Sequence, residues 1–377
     1  MNGWEQKAQT WKLMPLSSSI TFFAGVFCLF ASLVLVGSSM NFQSESRLEL
    51  VGTALIGGGF AIGWAYAGTR RIFWLFPIVA VLQFAGNAGL QLLLGARHTL
   101  GAEEMQHKVR VHGLVEMVLI VAGYALFILF FNKEGARFFR TQTEVRLAGE
   151  IHRSLVPARH DTIGKIELFG TSIPSSEVGG DLFDIVQSDG RWHAYVADVS
   201  GHGVAAGILM SMMKSTALMQ LTKLNKPEEL LTDLNDVMQP FTSPANYLTF
   251  AYVGGNGTDK LRFALAGHLP ILHYRAETKT ILEHSDSNVP IGLFKGQSFE
   301  ISELSLLPGD LLAVITDGFT EVFDSKKREI GMEEFKSMLR SRAEKSLPAI
   351  YRELRAETMK FGEQTDDQTM LLIRRLN

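Results

Sequence analysis

The chain has 377 residues, with 36 Lys and Arg against 39 Asp and Glu and a formal net charge of −3; that length suggests about two domains, and the near-neutral balance argues against a nucleic-acid partner, which needs a basic face. Its single cysteine, Cys28, excludes an internal disulfide framework and a cysteine-rich zinc site. Cys28 lies in an apolar run rather than beside a base, so thiolate catalysis finds no support either.

The charges are unevenly spread. Residues 1–132 carry 14 of them and residues 133–377 carry 61. No charge occurs from Leu13 to Ser44, from Leu50 to Thr69 or from Ile72 to Ala96, and Glu116 alone interrupts Val111 to Asn132. A membrane-crossing helix needs about 20 mainly apolar residues, so four spans are predicted, near 17–38, 50–69, 73–95 and 113–131. If they alternate, Lys7, Lys12, Arg70, Arg71, Lys133, Arg137 and Arg140 share one side. Arg47, Arg97, Lys108 and Arg110 share the other, diluted by Glu45, Glu49, Glu103 and Glu104. That bias predicts a multi-pass protein of the inner (plasma) membrane with both termini cytoplasmic.

Within the spans, Gly59, Gly63 and Ala67 stand at four-residue spacing, which would let another helix approach closely. Gln83, Asn87 and Gln91 form a polar stripe expected to face the bundle interior, and Glu116 follows His112 by one turn near the outer surface. The plain reading of these polar groups is helix packing and interfacial snorkelling.

Residues 133–157, ending at Pro157, are predicted to be a helix with Val145, Ala148, Ile151 and Leu155 at three–four spacing. It is either packed on its own catalytic domain or part of a parallel seam between two subunits, a route by which a membrane signal would reach the rest of the chain.

From residue 160 the pattern changes to short apolar runs ended by Gly, Asp and Asn. DLFDIVQ, SDG and RWHAYVADV predict a hairpin. Residues 204–221 predict a buried helix and 227–241 an amphipathic one. Residues 247–267 and 270–284 predict two more hairpins. DLLAVITDG (310–318) predicts a buried strand, FKSMLRSR and LPAIYRELRAETMK two helices, and TMLLIRR (369–375) a last strand. Strands in sequence with helices inserted in blocks predict an α+β layered antiparallel fold.

The chemistry lies where strands end. Asp181 and Asp184 occur in VGGDLFD, Asp198 in VADVSGHG, Asp317 in VITDGFTE, and Asp366 and Asp367 in QTDDQT. A single carboxylate at a strand end is ordinarily a turn former. Four such motifs in one domain shift that balance, because converging carboxylates repel and need a cation. Oxygen donors without cysteine suit Mg²⁺ or Mn²⁺, and two close ions lower the pKa of a shared water and clamp a phosphoryl oxygen.

In this order, the segments RLAGEIHRSLVP, VGGDLFD, ADVSGHGVAAGILM, LLTDLND, YLTFAYV, LAGHLPILH, PIGL, LPGDLLAVITDGFTEVFD, IG and TDDQTMLLI resemble the SpoIIE-type branch of the PPM metal-dependent protein serine/threonine phosphatases, over roughly 140–377. Small departures are Ala205, Gly207 and Leu182, none of which is a ligand position. The resemblance implies a two-layer antiparallel β-sandwich flanked by helices, here preceded by an all-α four-helix transmembrane domain. The expected division is 1–132 transmembrane, 133–157 linker or switch helix and 158–377 phosphatase. The resemblance further implies two Mn²⁺ or Mg²⁺ ions, with Asp198 bridging both and the Val199 carbonyl nearby. Asp181 serves one ion, and Asp317 and Asp366 the other. Asp198 and Asp317 are thus the residues assigned to catalysis. Asp184, Gly201, Asp367 and Glu321 fall in supporting or alternate-ligand positions, with Asp366 and Asp367 open to exchange. His202 and His268 are read as structural.

The implied activity is hydrolysis of phosphoserine or phosphothreonine by direct attack of a metal-activated hydroxide. The implied substrate is a phosphorylated STAS-type anti-sigma-factor antagonist in partner switching, with the opposing kinase or anti-sigma factor on a separate protein. A homodimer in the membrane is expected. The alternative is a non-catalytic membrane receptor or scaffold that keeps the fold to bind a partner.

Overall fold

The computed structural model describes residues 14–41, 46–70, 72–94, 99–201, 203–223, 227–243 and 247–377. They form two compact units, Met1–Gln142 and Thr143–Asn377.

The first unit is helical, with α1 (Leu16–Ser39), α2 (Arg47–Arg70), α3 (Leu75–Leu94) and the start of α4 (Ala102–Leu155). Close approach uses different glycines from those expected. A Cβ at Gly57 or Gly58 would stand 2.3 Å from Val34 or 2.5 Å from Phe27 of α1, while Gly59 has nothing within 4 Å and Gly63 faces Val79 of α3. Helix α1 therefore packs closely on α2 at Gly57 and Gly58, while Ala67 of the expected stripe is buried. Gln83 accepts a hydrogen bond from Trp64 Nε1 at 3.0 Å, and Asn87 is half-buried; the Gln91 side chain lies outside the described residues. Glu116 accepts a hydrogen bond from Ser39 Oγ at 2.9 Å, and that hydroxyl lies 3.3 Å from His112 Nδ1.

Helix α4 is 54 residues long. The fourth span and the 133–157 segment are thus one helix, because KEGARFFRTQTEV offers no proline and only Gly135 as a weak point. It ends at Leu155, ahead of Pro157.

In the second unit eleven strands among the described residues form two antiparallel sheets. The six-stranded sheet runs β1 (Arg159–Ile163), β2 (Ile166–Ile173), β11 (Gln368–Arg375), β10 (Leu311–Ile315), β7 (Ile271–Arg275) and β8 (Thr280–His284). The five-stranded sheet runs β3 (Leu182–Ser188), β4 (Arg191–Val199), β5 (Leu248–Gly255), β6 (Lys260–Ala266) and β9 (Ser302–Ser305). The β3–β4 turn is Asp189–Gly190, both at positive φ (49° and 74°), the two-residue geometry that keeps a hairpin's twist. The three expected hairpins form. The β1–β2 hairpin, turning at Gly164 and Lys165, and strand β9 were not expected.

Side-chain alternation builds the layers. Leu312, Val314, Leu371 and Ile373 enter the core shared with the five-stranded sheet. Leu311, Ala313, Ile315, Met370 and Leu372 face the opposite way, onto α7 (Gly331–Arg340) and α8 (Leu347–Phe361) through Phe335, Leu339, Ile350 and Leu354. On the five-stranded sheet lie α5 (Val204–Lys223) and α6 (Pro227–Met238). The architecture is the expected antiparallel sandwich flanked by helices.

Four helices among the described residues are long and apolar enough to cross a membrane, Leu16–Ser39, Leu48–Arg70, Ala102–Leu155 and Val204–Thr222; Leu75–Leu90 is a shorter apolar helix. The Val204–Thr222 helix instead buries Ala206, Met210, Met213, Ala217 and Leu221 in the sandwich core. Its apolar length reflects two-sided use, with a core-facing stripe and with Ile208 and Leu218 on the exposed side.

Candidate active site

Antiparallel pairing brings the aspartates together. Leu182 pairs with Ala197, so Asp181, just before β3, and Asp198, at the end of β4, stand at the same end of one sheet. Ile315 pairs with Met370, so Asp317, just after β10, and Asp366 and Asp367, just before β11, stand at the same end of the other. Hydrogen bonds join these ends. Thr316 Oγ1 donates to Asp181 Oδ2 at 2.7 Å, and the Gly180 N–H donates to Asp367 Oδ2 at 2.6 Å.

The adjacent aspartates have different surroundings. Asp367 is buried, and its carboxylate accepts from the Ser175 N–H at 2.7 Å, Ser175 Oγ at 3.0 Å, and the Gly180 and Asp181 N–H groups. Its lone pairs are occupied in holding the 174–181 loop. Asp366 is exposed, and its Oδ1 accepts only the Asp367 N–H among the described hydrogen bonds.

The remaining carboxylates repel one another in a desolvated setting. Burial, then Asp198 and Asp367, hold the Asp181 carboxyl well above its ordinary range. Burial and the Asp317, Asp366 and Asp367 carboxylates push Asp198 up to about 7. Burial and Asp366 raise Asp317, and burial, Asp317, Glu329 and Asp366 raise Glu321. Among the described residues no three His, Cys, Asp or Glu side chains stand close enough together to grip an ion. The aspartates share one end of the sandwich without closing into a cage.

Backbone oxygens face the same place. A Cβ at Gly180 would stand 2.6 Å from the Val199 carbonyl oxygen and 3.1 Å from that of Gly201, and one at Gly318 would stand 2.0 Å from the Asp367 carbonyl. Only glycine fits this approach. Gly201 itself turns at φ 95°.

Asp184 stands apart from this cluster. It pairs with Lys214 Nζ at 2.9 Å and Arg159 Nη1 at 3.3 Å, and so ties α5 and β1 to β3. Glu321 places its N–H on the Asp317 carbonyl at 2.7 Å. His268 Nδ1 lies 2.7 Å from Thr249 Oγ1, and Thr249 pairs with Asp198 across β4 and β5. Desolvation pushes His268 down to about 4, so it is neutral at pH 7. His202 lies outside the described residues.

Sequence reasoning missed Thr316, Ser175, Gln368 and His152. Thr316 Oγ1 also receives the Thr369 N–H at 3.0 Å, and Gln368 Nε2 donates to the Gly318 carbonyl at 2.8 Å. His152, on α4, is 4% exposed. A Cβ at nearby Gly149 would stand 2.5 Å from the Glu177 carbonyl, so the last turns of α4 press on the 174–181 loop. The hydroxyl residues flanking the aspartates in VITDG and TDDQT were the available signal; their partners lie 135 and 53 residues away.

Three comparisons bear on this site. The chain is 24% identical over 215 residues to the phosphoserine phosphatase RsbU of Bacillus subtilis, covering 56% of this chain and 63% of that protein. It is 28% identical over 186 residues to the phosphoserine phosphatase RsbP of the same organism, covering 47% of this chain and 45% of that protein. The chain thus spans less than two thirds of the length of either curated relative. Among solved structures, the SiaA-PP2C domain of Pseudomonas aeruginosa superposes with a TM-score of 0.55 at 22% identity, covering 63% of this chain and 98% of that domain, a likeness of fold. The family model for Stage II sporulation protein E (SpoIIE) matches residues 188–376, half of the chain and all of its strands from β4 onward. The chain belongs to the SpoIIE family.

Proposed function

We propose that the chain is a membrane-anchored, Mn²⁺- or Mg²⁺-dependent protein phosphatase acting on phosphoserine or phosphothreonine. The observation that carries this reading is the gathering of Asp181, Asp198, Asp317 and Asp366 at one end of the sandwich, where burial and mutual repulsion raise three of the four. An all-oxygen donor set under like-charge strain suits hard divalent cations. The close approach of Gly180 to the Val199 carbonyl oxygen sets a further oxygen donor beside these aspartates.

In this reading Asp181, Asp198, Asp317, Asp366 and the Val199 carbonyl would hold two divalent cations, with Asp198 shared between them. Bound divalent cations supply a water of lowered pKa and neutralise phosphoryl oxygens. The chain's own residues hold that arrangement. Thr316 orients the Asp181 carboxylate, Asp367 fixes the loop that carries Asp181, and Glu321 organises the turn after Asp317.

The apolar helices α1 to α3 and the first part of α4 anchor the protein in the inner (plasma) membrane as a multi-pass unit with both termini cytoplasmic. The division into 1–132, a 133–157 linker or switch helix and 158–377 follows from the same reading. The contact of Gly149 and His152 with the 174–181 loop supports a switch, since a shift of the helix would move Asp181. Ile151, 53% exposed on that helix, is available for a seam in a homodimer. The relatives' names support a phosphoserine substrate, and the family resemblance suggests that it is a phosphorylated STAS-type protein in partner switching, opposed by a separate kinase or anti-sigma factor.

The test is phosphate release from a phosphoserine peptide and from an aryl phosphate by the full chain in detergent, with and without Mn²⁺, beside Asp198→Asn. Mn²⁺-dependent release that disappears in the variant is expected. Equal release by both proteins would overturn the site assignment.

A further inference from the structure

The end of α4, the first half of α5 and the 174–181 loop enclose an apolar pocket of about 280 Å³. Its wall includes Ala148, Ile151 and His152 of α4, Val178 of the loop, and Met210 and Met212 of α5. Two glycines bring these elements close. A Cβ at Gly149 would stand 2.5 Å from the Glu177 carbonyl oxygen, and one at Gly207 would stand 2.5 Å from Val178.

His152 is the exception in this wall. It is 4% exposed, yet neither Nδ1 nor Nε2 has a hydrogen-bond partner among the described residues. The other buried histidines of this unit are engaged. His193 Nδ1 lies 2.7 Å from the Tyr252 hydroxyl, and His273 reaches His284 at 3.0 Å and Asp310 at 3.1 Å. Burial, against the pull of Asp367 and the Asp181 backbone, lowers the His152 pKa, so the ring is neutral at pH 7. A neutral imidazole offers one N–H donor and one bare acceptor nitrogen, and buried polar groups normally find partners. Water is a poor occupant here. It needs about two to four polar partners. Among the described residues of the wall the only other polar side chain is Ser211, whose hydroxyl already donates to the Gly207 carbonyl at 2.7 Å.

We propose that this pocket binds a small amphiphilic molecule, with an apolar body against the α4 and α5 side chains and one hydroxyl that exchanges a hydrogen bond with His152. A hydroxyl both donates and accepts, so it suits either ring nitrogen. An apolar cavity of about 150 Å³ holds benzene, so this larger one admits a body of roughly ten non-hydrogen atoms. The wall carries no charged side chain among the described residues, which disfavours an ionic ligand. The pocket lies beside the loop that carries Asp181 but shares no residue with the proposed metal site, so its occupancy stands apart from the phosphatase reading.

The probe is 4-propylphenol, with propylbenzene as its counterpart lacking the hydroxyl. Each is titrated against the full chain in detergent while the methionine methyl resonances are followed by NMR, assigned through single Met→Leu variants. Met210 and Met212 report the pocket, and Met40 and Met117, exposed on the first unit, report partition into the micelle. Saturable shifts at Met210 and Met212 are expected, with a dissociation constant of about 1 mM or tighter for the phenol and about tenfold weaker for propylbenzene. His152→Phe keeps a ring and removes both nitrogens. It should abolish the preference for the phenol while propylbenzene still binds, a result that general loss of structure would not produce. Ala148→Leu, at a half-buried position of the wall, should remove binding of both. Shifts at Met210 and Met212 that never saturate, or that match those at Met40 and Met117, would overturn the proposal. So would equal binding of the two probes by the wild-type chain, or a preference that survives His152→Phe. Probe-free shifts at these two methyls that track protein concentration would also overturn it, by seating a second copy of the chain on the pocket.

Discussion

Strand β4 begins at Arg191, among cations, and carries Asp198, among carboxylates, one residue before its end. Between them the strand is apolar apart from His193 and the Tyr195 hydroxyl, and it is buried. Both ends gather like charge where the backbone leaves the ladder, yet the consequences differ. Arg191 and Lys260 are exposed, so water screens their repulsion. Asp181 is 2% exposed, so burial first, and then the unscreened repulsion of Asp198 and Asp367, hold its carboxyl well above the ordinary range. The cations at one end are screened by water, whereas the carboxylates at the other are held together in a buried setting.

The largest test of that contrast is Asp198→Asn. Phosphate release should fall by about 10²–10³-fold or more, the scale of removing one preorganised electrostatic group, while the circular dichroism of the sandwich is retained. Next is the response to metal. Mn²⁺ at about one hundred times its dissociation constant should stabilise the sandwich by roughly 2.7 kcal/mol, seen as a raised melting temperature. Asp198→Asn should melt higher than wild type without metal, because one repelling charge is gone, and should lose most of the Mn²⁺ increment. A wild-type melting temperature indifferent to Mn²⁺ would remove the contrast between the two ends.

The paired aspartates sharpen it further. Asp367→Asn removes charge from a buried acceptor of four described hydrogen bonds. It should cost about 1.5–3 kcal/mol in denaturant unfolding. Gly180→Ala, which drives a methyl against the Val199 carbonyl, should cost about 1–3 kcal/mol and lower activity. Asp366→Asn should lower activity while changing stability by less than about 0.5 kcal/mol, since the residue is exposed. The smallest effect is expected at the basic end, where Glu303→Gln should move stability by less than about 0.5 kcal/mol and leave phosphate release unchanged.

How much of this could be read from the chain varied with the range of the interaction. The β3–β4 hairpin was legible because Asp189–Gly190 carries its turn in two residues. The buried strand 310–318 was legible because both of its faces are apolar. The β1–β2 hairpin was not, because β1 (RHDTI) is an edge strand with a single apolar residue, Ile163, and so carries no apolar run or alternation to read. Asp366 and Asp367 could not be told apart, since the four donors that occupy Asp367 come from residues 175–181. The choice of Gly57 and Gly58 over Gly59 and Gly63 depended on where Val34 and Phe27 fall on a neighbouring helix.

The sequence by itself determined that a charge-poor helical half precedes a charge-rich sandwich half, and that its aspartates lie at strand ends, because composition and period are local properties of the chain. Only the tertiary structure decided which carboxylates are occupied by hydrogen bonds and which face one another, because strand pairing and sheet stacking join residues 135 to 192 positions apart. It alone set Arg191, Lys260 and Arg262 around one cavity, since that meeting depends on the register of three strands.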